Sequence, residues 1–122
     1  MVTIPEQIVR ATIHTTRGLV AAAKTELAFR LEIAALALSV PLAFLLAAEP
    51  WKRLALIAVV LLVLIVELLN TAIEKLSDHV TATHHPAIGR IKDMGSAAVG
   101  CTILLAGATW LLAVGEWLAA LW

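Results

Sequence analysis

Long apolar runs separated by short polar segments define the chain. Three of these runs, at residues 31–48, 54–73 and 94–115, contain few polar side chains. Each approaches or exceeds the roughly 20 residues that a helix needs to cross a hydrocarbon core of about 30 Å. Pro41 lies inside the first run, and a bilayer helix tolerates proline because neighbouring helices satisfy the freed carbonyl. The pattern therefore predicts three transmembrane helices.

The first thirty residues have a different pattern, which is typical of an amphipathic helix lying on a membrane surface. Thr3 and Glu6 fit a capping box, which predicts a helix over residues 4–25. One face of this helix carries Arg10, His14, Arg17 and Lys24 at helical spacing. That face could bind anionic lipid headgroups or the phosphates of a nucleotide. We therefore expect an all-α membrane protein, with residues 1–122 forming a single domain.

Composition strengthens the assignment to a membrane. Of the 122 residues, 61% are apolar and 15% are charged, whereas soluble domains average about 45–50% and about 25%. This balance excludes a disordered chain, an ordinary soluble domain and a nucleic-acid-binding protein. Seven basic residues lie before the first run or between the second and third, against two, Lys52 and Arg53, in the other loop. The positive-inside rule therefore places the N-terminus and the second loop in the cytoplasm.

Glu67 interrupts the second apolar run near its cytoplasmic end. A carboxylate inside a membrane costs on the order of 2.5–3.5 kcal/mol, so it should face protein or water and is a functional candidate. Asn70, Glu74 and Asp78 follow on the same helix face. A divalent cation such as Mg²⁺ would relieve the repulsion between the acids, and Glu67 could act as a general base. The alternative is a structural polar seam that joins helices through hydrogen bonds.

Other charged groups lie at a similar membrane depth. Glu26 and Arg30 form an i,i+4 pair just before the first run, and Lys92 and Asp93 stand where the third run begins. Lys92 could hold a phosphate as a point charge, or it could simply follow the positive-inside rule. Carboxylates, a divalent metal and a nearby basic group suit phosphoryl transfer. The chain has no Walker motif and no kinase glycine-rich loop, so a conventional nucleotide-binding fold is excluded.

The third run opens with small residues that favour close helix packing. Ser96 and Gly100 have the spacing that lets transmembrane helices approach one another. Three spans are too few to enclose an active site. We therefore expect packing between subunits.

Three segments resemble those of the small integral-membrane diacylglycerol kinases of bacteria. They are residues 26–32 (ELAFRLE), residues 66–74 (VELLNTAIE) with Asp78, and residues 89–98 (GRIKDMGSAA). The resemblance covers nearly the whole chain. It implies a homotrimer with active sites shared between subunits, located in the bacterial cytoplasmic (inner) membrane. The reaction would transfer the γ-phosphoryl of ATP to the hydroxyl of sn-1,2-diacylglycerol, giving phosphatidate and ADP.

The resemblance also implies a role for each site residue. Glu67 would take the proton of the lipid hydroxyl, with Asn70 beside it as the second catalytic residue. Glu26 and Glu74 would bind the Mg²⁺ that bridges the ATP phosphates. The ATP-binding residues would be His14, Glu26, Glu74, His84, His85, Lys92 and Asp93. The residues in contact with diacylglycerol would be Ala28, Phe29, Arg30, Leu31, Glu32, Glu67 and Ser96.

Two alternative functions remain open from the sequence. An undecaprenol kinase of the same superfamily would differ only in its lipid acceptor. A small transporter or proton-relay subunit would instead use Glu67 as an intramembrane carrier site. That second alternative leaves Lys92, Asp93 and the flanking acids without a role.

Overall fold

The computed structural model describes residues 1–122 and consists of four helices. Helix α1 spans Ile4–Thr25, α2 spans Leu27–Leu46, α3 spans Pro50–Val80 and α4 spans Pro86–Ala120. The last three are long and apolar enough to cross a membrane, so the prediction of three spans is confirmed. With 31 and 35 residues, α3 and α4 are about 46 and 52 Å long. Both therefore extend well beyond a hydrocarbon core of about 30 Å.

Helix α1 begins with the predicted capping box. The Oγ1 atom of Thr3 accepts a hydrogen bond from the backbone amide of Glu6 at 3.3 Å, and Glu6 Oε2 accepts from the amide of Thr3 at 3.0 Å. Two amides that the start of a helix leaves without partners are thereby satisfied. Only Ala22, near the other end of α1, is buried, so α1 is attached to the spans mainly through its last turns.

Hydrogen bonds from Arg30 stabilise the corner between α1 and α2. Glu26 adopts an extended backbone there, which ends α1 and lets α2 leave in a new direction. The Nη1 atom of Arg30 donates to the carbonyl oxygens of Ala23 at 2.8 Å and Lys24 at 3.4 Å. These carbonyls lie in the last turn of α1, where a cation also interacts favourably with the helix dipole. Arg30 therefore stabilises the geometry of this corner.

Prolines mark the starts of the two longest helices. Pro50 and Pro86 occupy the first positions of α3 and α4, where no amide hydrogen is needed. The residues before them, Glu49 and His85, are extended because proline disfavours a helical conformation in the residue that precedes it. Helix α3 thus begins before the apolar run at 54–73 and continues through polar residues beyond it.

Two small apolar clusters hold the helices together. The one nearer α1 contains Ala22, Phe29 and Leu64. The one at the opposite end of the bundle contains Ala43, Ala47 and Leu56. Trp110 of α4 packs on the second cluster, and its Nε1 donates to the carbonyl oxygen of Leu56 at 3.0 Å. Only 10 of 122 residues are buried, so most apolar side chains of the spans face outward.

Candidate active site

One face of α3 carries the polar stripe of Glu67, Asn70, Glu74 and Asp78 on an unbroken helix. Asn70 is 7% exposed, and its Nδ2 donates to Glu74 Oε1 at 3.2 Å. The Oδ1 atom of Asn70 is buried and has no hydrogen-bond partner. Glu67 is half-buried, whereas Glu74 and Asp78 are exposed. The stripe therefore leads from a sheltered carboxylate to a solvated one.

The start of α2 adds two carboxylates to this stripe. Glu26 reaches α3 through an ion pair with Lys75, the residue after Glu74. Glu26 and Glu74 lie near enough to Glu67, and Glu67 to Glu32, for their negative charges to repel one another. The Oε2 atom of Glu32 is buried without a hydrogen-bond partner. Like charges repel one another unless a cation or a proton neutralises them. This gathering of acids therefore suits cation binding and proton transfer.

Two lysines form ion pairs at the edge of this acidic region. Lys75 Nζ lies 3.3 Å from Glu26 Oε1 and donates to Thr25 Oγ1 at 3.1 Å, which joins α3 to the corner between α1 and α2. Lys92 forms an ion pair with Asp78, which joins α4 to α3. All four charged side chains are partly exposed. Exposed ion pairs contribute little energy, so a charged ligand can exchange places with one of their members.

A cavity of about 140 Å³ lies where α3 ends and α4 begins. Its lining includes Asp78, His84, His85 and Lys92. The structure thus brings together three of the predicted ATP-binding residues, and Asp93 follows at an exposed position of α4. The side chain of His85 also caps the start of α4. The cavity combines a cation with imidazole groups that can stack or donate hydrogen bonds.

His14 lies apart from the two loop histidines within one protomer. It lines a groove of about 360 Å³ between α1 and α3, together with Thr71 and Lys75. The cavity at the end of α3 has none of these residues in its lining. A single chain therefore does not place all the predicted nucleotide contacts in one cavity.

The predicted lipid-binding segment at residues 28–32 forms the start of α2. Phe29 is 2% exposed and belongs to the apolar cluster near α1, so its side chain supports the packing of the helices. The guanidinium of Arg30 is directed to the end of α1, as described above. Ala28 and Leu31 are exposed. The outward-facing members of this segment are thus the ones available to a ligand.

Glu32 stands at the polar edge of an apolar cavity between the spans. The cavity has a volume of about 490 Å³ and is lined by residues of α2, α3 and α4, eight of eleven being hydrophobic. Ser96, the other predicted lipid contact, is exposed on α4 and is not part of this lining. Apolar walls with one carboxylate suit an amphipathic molecule.

Lys75 and Gly95 also belong to this region, although the sequence pattern gives them no place in the site, and Asp78 of the predicted stripe gains a partner on another helix. Lys75 and Asp78 hold the two ion pairs described above. Gly95 of α4 is buried against Asn70, and a Cβ atom at this position would overlap the Asn70 side chain. Helical spacing places Asp78 on the stripe, but no signal in one sequence reveals partners on different helices.

The side chains of this region can carry out three chemical tasks. No group of three or more His, Cys, Asp or Glu side chains is arranged to hold a metal ion without other ligands. Hard divalent cations are often held by one or two carboxylates together with the phosphates of a substrate, and Glu26 and Glu74 provide two carboxylates. The half-buried Glu67 can accept a proton, and Lys92 can neutralise a phosphate. These tasks are the requirements of phosphoryl transfer.

Comparison with known proteins agrees with this chemistry. A family model described as prokaryotic diacylglycerol kinase matches residues 13–114. The diacylglycerol kinase of Escherichia coli strain K12 is 43% identical over 106 residues, which cover 87% of this chain and 87% of that protein. The diacylglycerol kinase of Pseudomonas aeruginosa PAO1 is 42% identical over 86% of this chain and 85% of its own length. That of Haemophilus influenzae Rd is 36% identical over 84% and 87%.

Proposed function

This chain belongs to the prokaryotic diacylglycerol kinase family, and from that membership we propose that it phosphorylates sn-1,2-diacylglycerol with ATP. The products are phosphatidate and ADP. The observation that supports this best is the ion pair of Lys92 with Asp78, which puts a cation able to bind phosphate at the end of the α3 face that carries Glu67 and Glu74. A transporter or proton relay would need one intramembrane carboxylate, but it would not need the lysine-lined cavity.

Glu67 is the general base of the proposed reaction. It accepts the proton of the lipid hydroxyl as the hydroxyl oxygen bonds to the γ-phosphorus of ATP. The bond from that phosphorus to the oxygen it shares with the β-phosphorus breaks, and ADP leaves with the electron pair. The acceptor hydroxyl stays at the membrane surface, so its base must lie at the same depth. Asn70 orients the neighbouring carboxylate of Glu74 through its hydrogen bond.

Lys92 neutralises the transferred phosphoryl group. In the structure it is paired with the exposed carboxylate of Asp78, and it exchanges this partner for the γ-phosphate when ATP binds. Asp93 supports this end of the site. His84 and His85 contact the nucleotide from the cavity they share with Lys92, and His14 contacts it from the α1 groove.

The donor set fits Mg²⁺. Glu26 and Glu74 would provide hard oxygen ligands close to the half-buried Glu67. The Asn70 amide holds one oxygen of Glu74 and leaves the other free. When bound, Mg²⁺ neutralises charge on the ATP phosphates and polarises the γ-phosphoryl group. Glu26 must release Lys75 to become a ligand.

Diacylglycerol enters from the membrane side of the proposed site. Ala28 and Leu31 contact the lipid directly, and Glu32 and Ser96 contact the polar end of the lipid. Phe29 and Arg30 set the shape of the corner between α1 and α2. The apolar cavity beside Glu32 lies between the spans and has a mainly hydrophobic lining, which suits acyl chains. An undecaprenol kinase would need the same phosphate chemistry with a different lipid, and the relatives' names favour diacylglycerol.

We further propose that the working unit is a homotrimer in the bacterial inner membrane, with residues 1–122 as one domain in each subunit. The separation of His14 from His84 and His85 supports a site completed by a neighbouring subunit. The excess of basic residues near the N-terminus and in the second loop supports a cytoplasmic active site, with α1 on the cytoplasmic membrane surface.

A lipid-phosphorylation assay tests the proposal. The purified protein in mixed micelles is given radiolabelled ATP, Mg²⁺ and either diacylglycerol or undecaprenol, and the labelled lipid and the ADP are both measured. We expect one ADP per phosphatidate with diacylglycerol. Exclusive turnover of undecaprenol would assign the other acceptor, and ATP-independent ion movement without a phosphorylated lipid would contradict a kinase.

A further inference from the structure

Gly95 lies where α4 packs against the polar stripe of α3. It is the buried residue of α4, and it faces Asn70, which is also buried. A Cβ atom built at Gly95 would overlap Asn70 Oδ1 and lie 3.3 Å from Asn70 Cγ. The overlap with Oδ1 is the critical contact, because a carbon and an oxygen atom that are not bonded to each other do not overlap in this way. An alanine here would therefore displace Asn70 or separate the two helices.

The other glycines of the span make this one distinctive. At Gly100, Gly107 and Gly115 of α4, a Cβ would have no atom within 4 Å apart from the adjacent residues and the backbone of its own helix. Glycine disfavours a helix relative to alanine, because it has more backbone freedom to lose. Gly95 is the glycine of α4 at which a larger residue would clash with its surroundings. The side chain of Asn70 is the group that it would clash with.

Asn70 has little freedom to move away. Its Nδ2 donates to Glu74 Oε1 at 3.2 Å, and its Oδ1 is buried without a partner on the side facing Gly95. Rotating the amide away from a new Cβ would break the hydrogen bond to Glu74. The carboxylate of Glu74, which is exposed, would then be free to reorient.

We propose that Gly95 is a positioning residue for catalysis: its lack of a side chain holds the Asn70 amide on Glu74, and thereby orients the Glu74 carboxylate. The metal-binding part of this inference rests on the proposed function. Hydrogen bonds of this kind, from an outer group to a metal ligand, commonly change metal affinity or activity by about 10- to 100-fold when lost. Gly95 touches no substrate itself, so its effect passes entirely through Asn70.

Asn70 is the only asparagine of the chain, which allows a direct test of its position. The full-length protein, labelled with ¹⁵N at asparagine only, gives one pair of side-chain amide resonances. We expect Gly95→Ala to shift these resonances and to accelerate their hydrogen exchange, while Gly115→Ala leaves both unchanged. Unaltered Asn70 resonances in Gly95→Ala would overturn the proposal. This measurement needs no activity, so it stands even where the proposed reaction fails.

A kinetic cycle separates positioning from a general loss of packing. We expect Gly95→Ala to raise the Mg²⁺ concentration for half-maximal activity about tenfold or more, with the KM for diacylglycerol unchanged. In the Asn70→Ala background, the added Cβ meets only the Cβ of residue 70, at 4.0 Å in an ordinary van der Waals contact, so Gly95→Ala should cause no further loss. The double variant should fold even where Gly95→Ala alone does not. An equal loss in both backgrounds, or failure of the double variant to fold, would contradict the role through Asn70.

Discussion

Lys75 forms an ion pair with Glu26, whose carboxylate the proposed reaction needs as a Mg²⁺ ligand. Its ion pair with Glu26 has a separation of 3.3 Å, and the two side chains are 55% and 32% exposed. Pairs this exposed contribute about 0.2–1 kcal/mol. A tenfold change in affinity corresponds to about 1.4 kcal/mol, so removing the competing ammonium should strengthen Mg²⁺ binding by up to about fivefold. Lys75→Met should therefore lower the Mg²⁺ concentration that gives half-maximal activity.

The assay is a Mg²⁺ titration of initial rates at fixed total ATP and diacylglycerol, with thermal unfolding measured in parallel. Lys52→Met is the matched control, because Lys52 forms a 2.8 Å pair with Glu116 at the opposite end of the bundle, with 48% and 51% exposure. Lys52→Met should lower the unfolding temperature about as much as Lys75→Met does, but it should leave the Mg²⁺ concentration for half-maximal activity unchanged. An unchanged or higher Mg²⁺ requirement in Lys75→Met would refute the competition between the ammonium and the metal.

Two further predictions concern α3 and its packing. Glu74→Gln should raise the Mg²⁺ concentration for half-maximal activity at least about tenfold, because an amide is a weaker ligand than a carboxylate; an unchanged titration curve would remove Glu74 from the metal site. Trp110→Phe should lower the free energy of unfolding by about 0.5–1.5 kcal/mol, through loss of the hydrogen bond to the Leu56 carbonyl. Because Trp110 also lines the apolar cavity beside Glu32, the variant's KM for diacylglycerol can change, but kcat at saturating lipid should stay near the wild-type value. A large loss of kcat would mean that this cluster also shapes the catalytic groups.

The apolar pattern was sufficient to predict the number of membrane-crossing helices, because a bilayer imposes a minimum length on any apolar helix. The apolar pattern alone did not predict where α3 ends, whereas the helical spacing of Glu67, Asn70, Glu74 and Asp78 predicted that the helix continues beyond the apolar run, and it does. The run of apolar residues stops at Ile73, but the helix continues to Val80 because Glu74 to His79 contain no proline or glycine to interrupt it. The capping box of Thr3 and Glu6 was predictable because both partners lie within one turn.

In the candidate site, too, contacts within one helix could be predicted from the sequence, whereas contacts between helices could not. Residues on one helix, such as Asn70 and Glu74, could be placed together from their spacing alone, and their hydrogen bond agrees with it. Contacts between helices depend on how α3 and α4 are shifted along each other, which a single sequence does not determine. The pairing of Lys92 with Asp78, and the fit of Asn70 against Gly95, are of this kind.

The proposed reaction depends on a carboxylate within the membrane that activates the lipid hydroxyl, and Glu67→Gln removes this group. The amide keeps the size of the side chain but cannot accept the proton. We measure kcat for ATP-dependent phosphatidate formation, with helix content checked by circular dichroism and Glu116→Gln, at the far end of α4, as the matched control. We expect kcat to fall at least about 10²-fold in Glu67→Gln and to stay near the wild-type value in the control. A folded Glu67→Gln protein that retains most of its activity would contradict it.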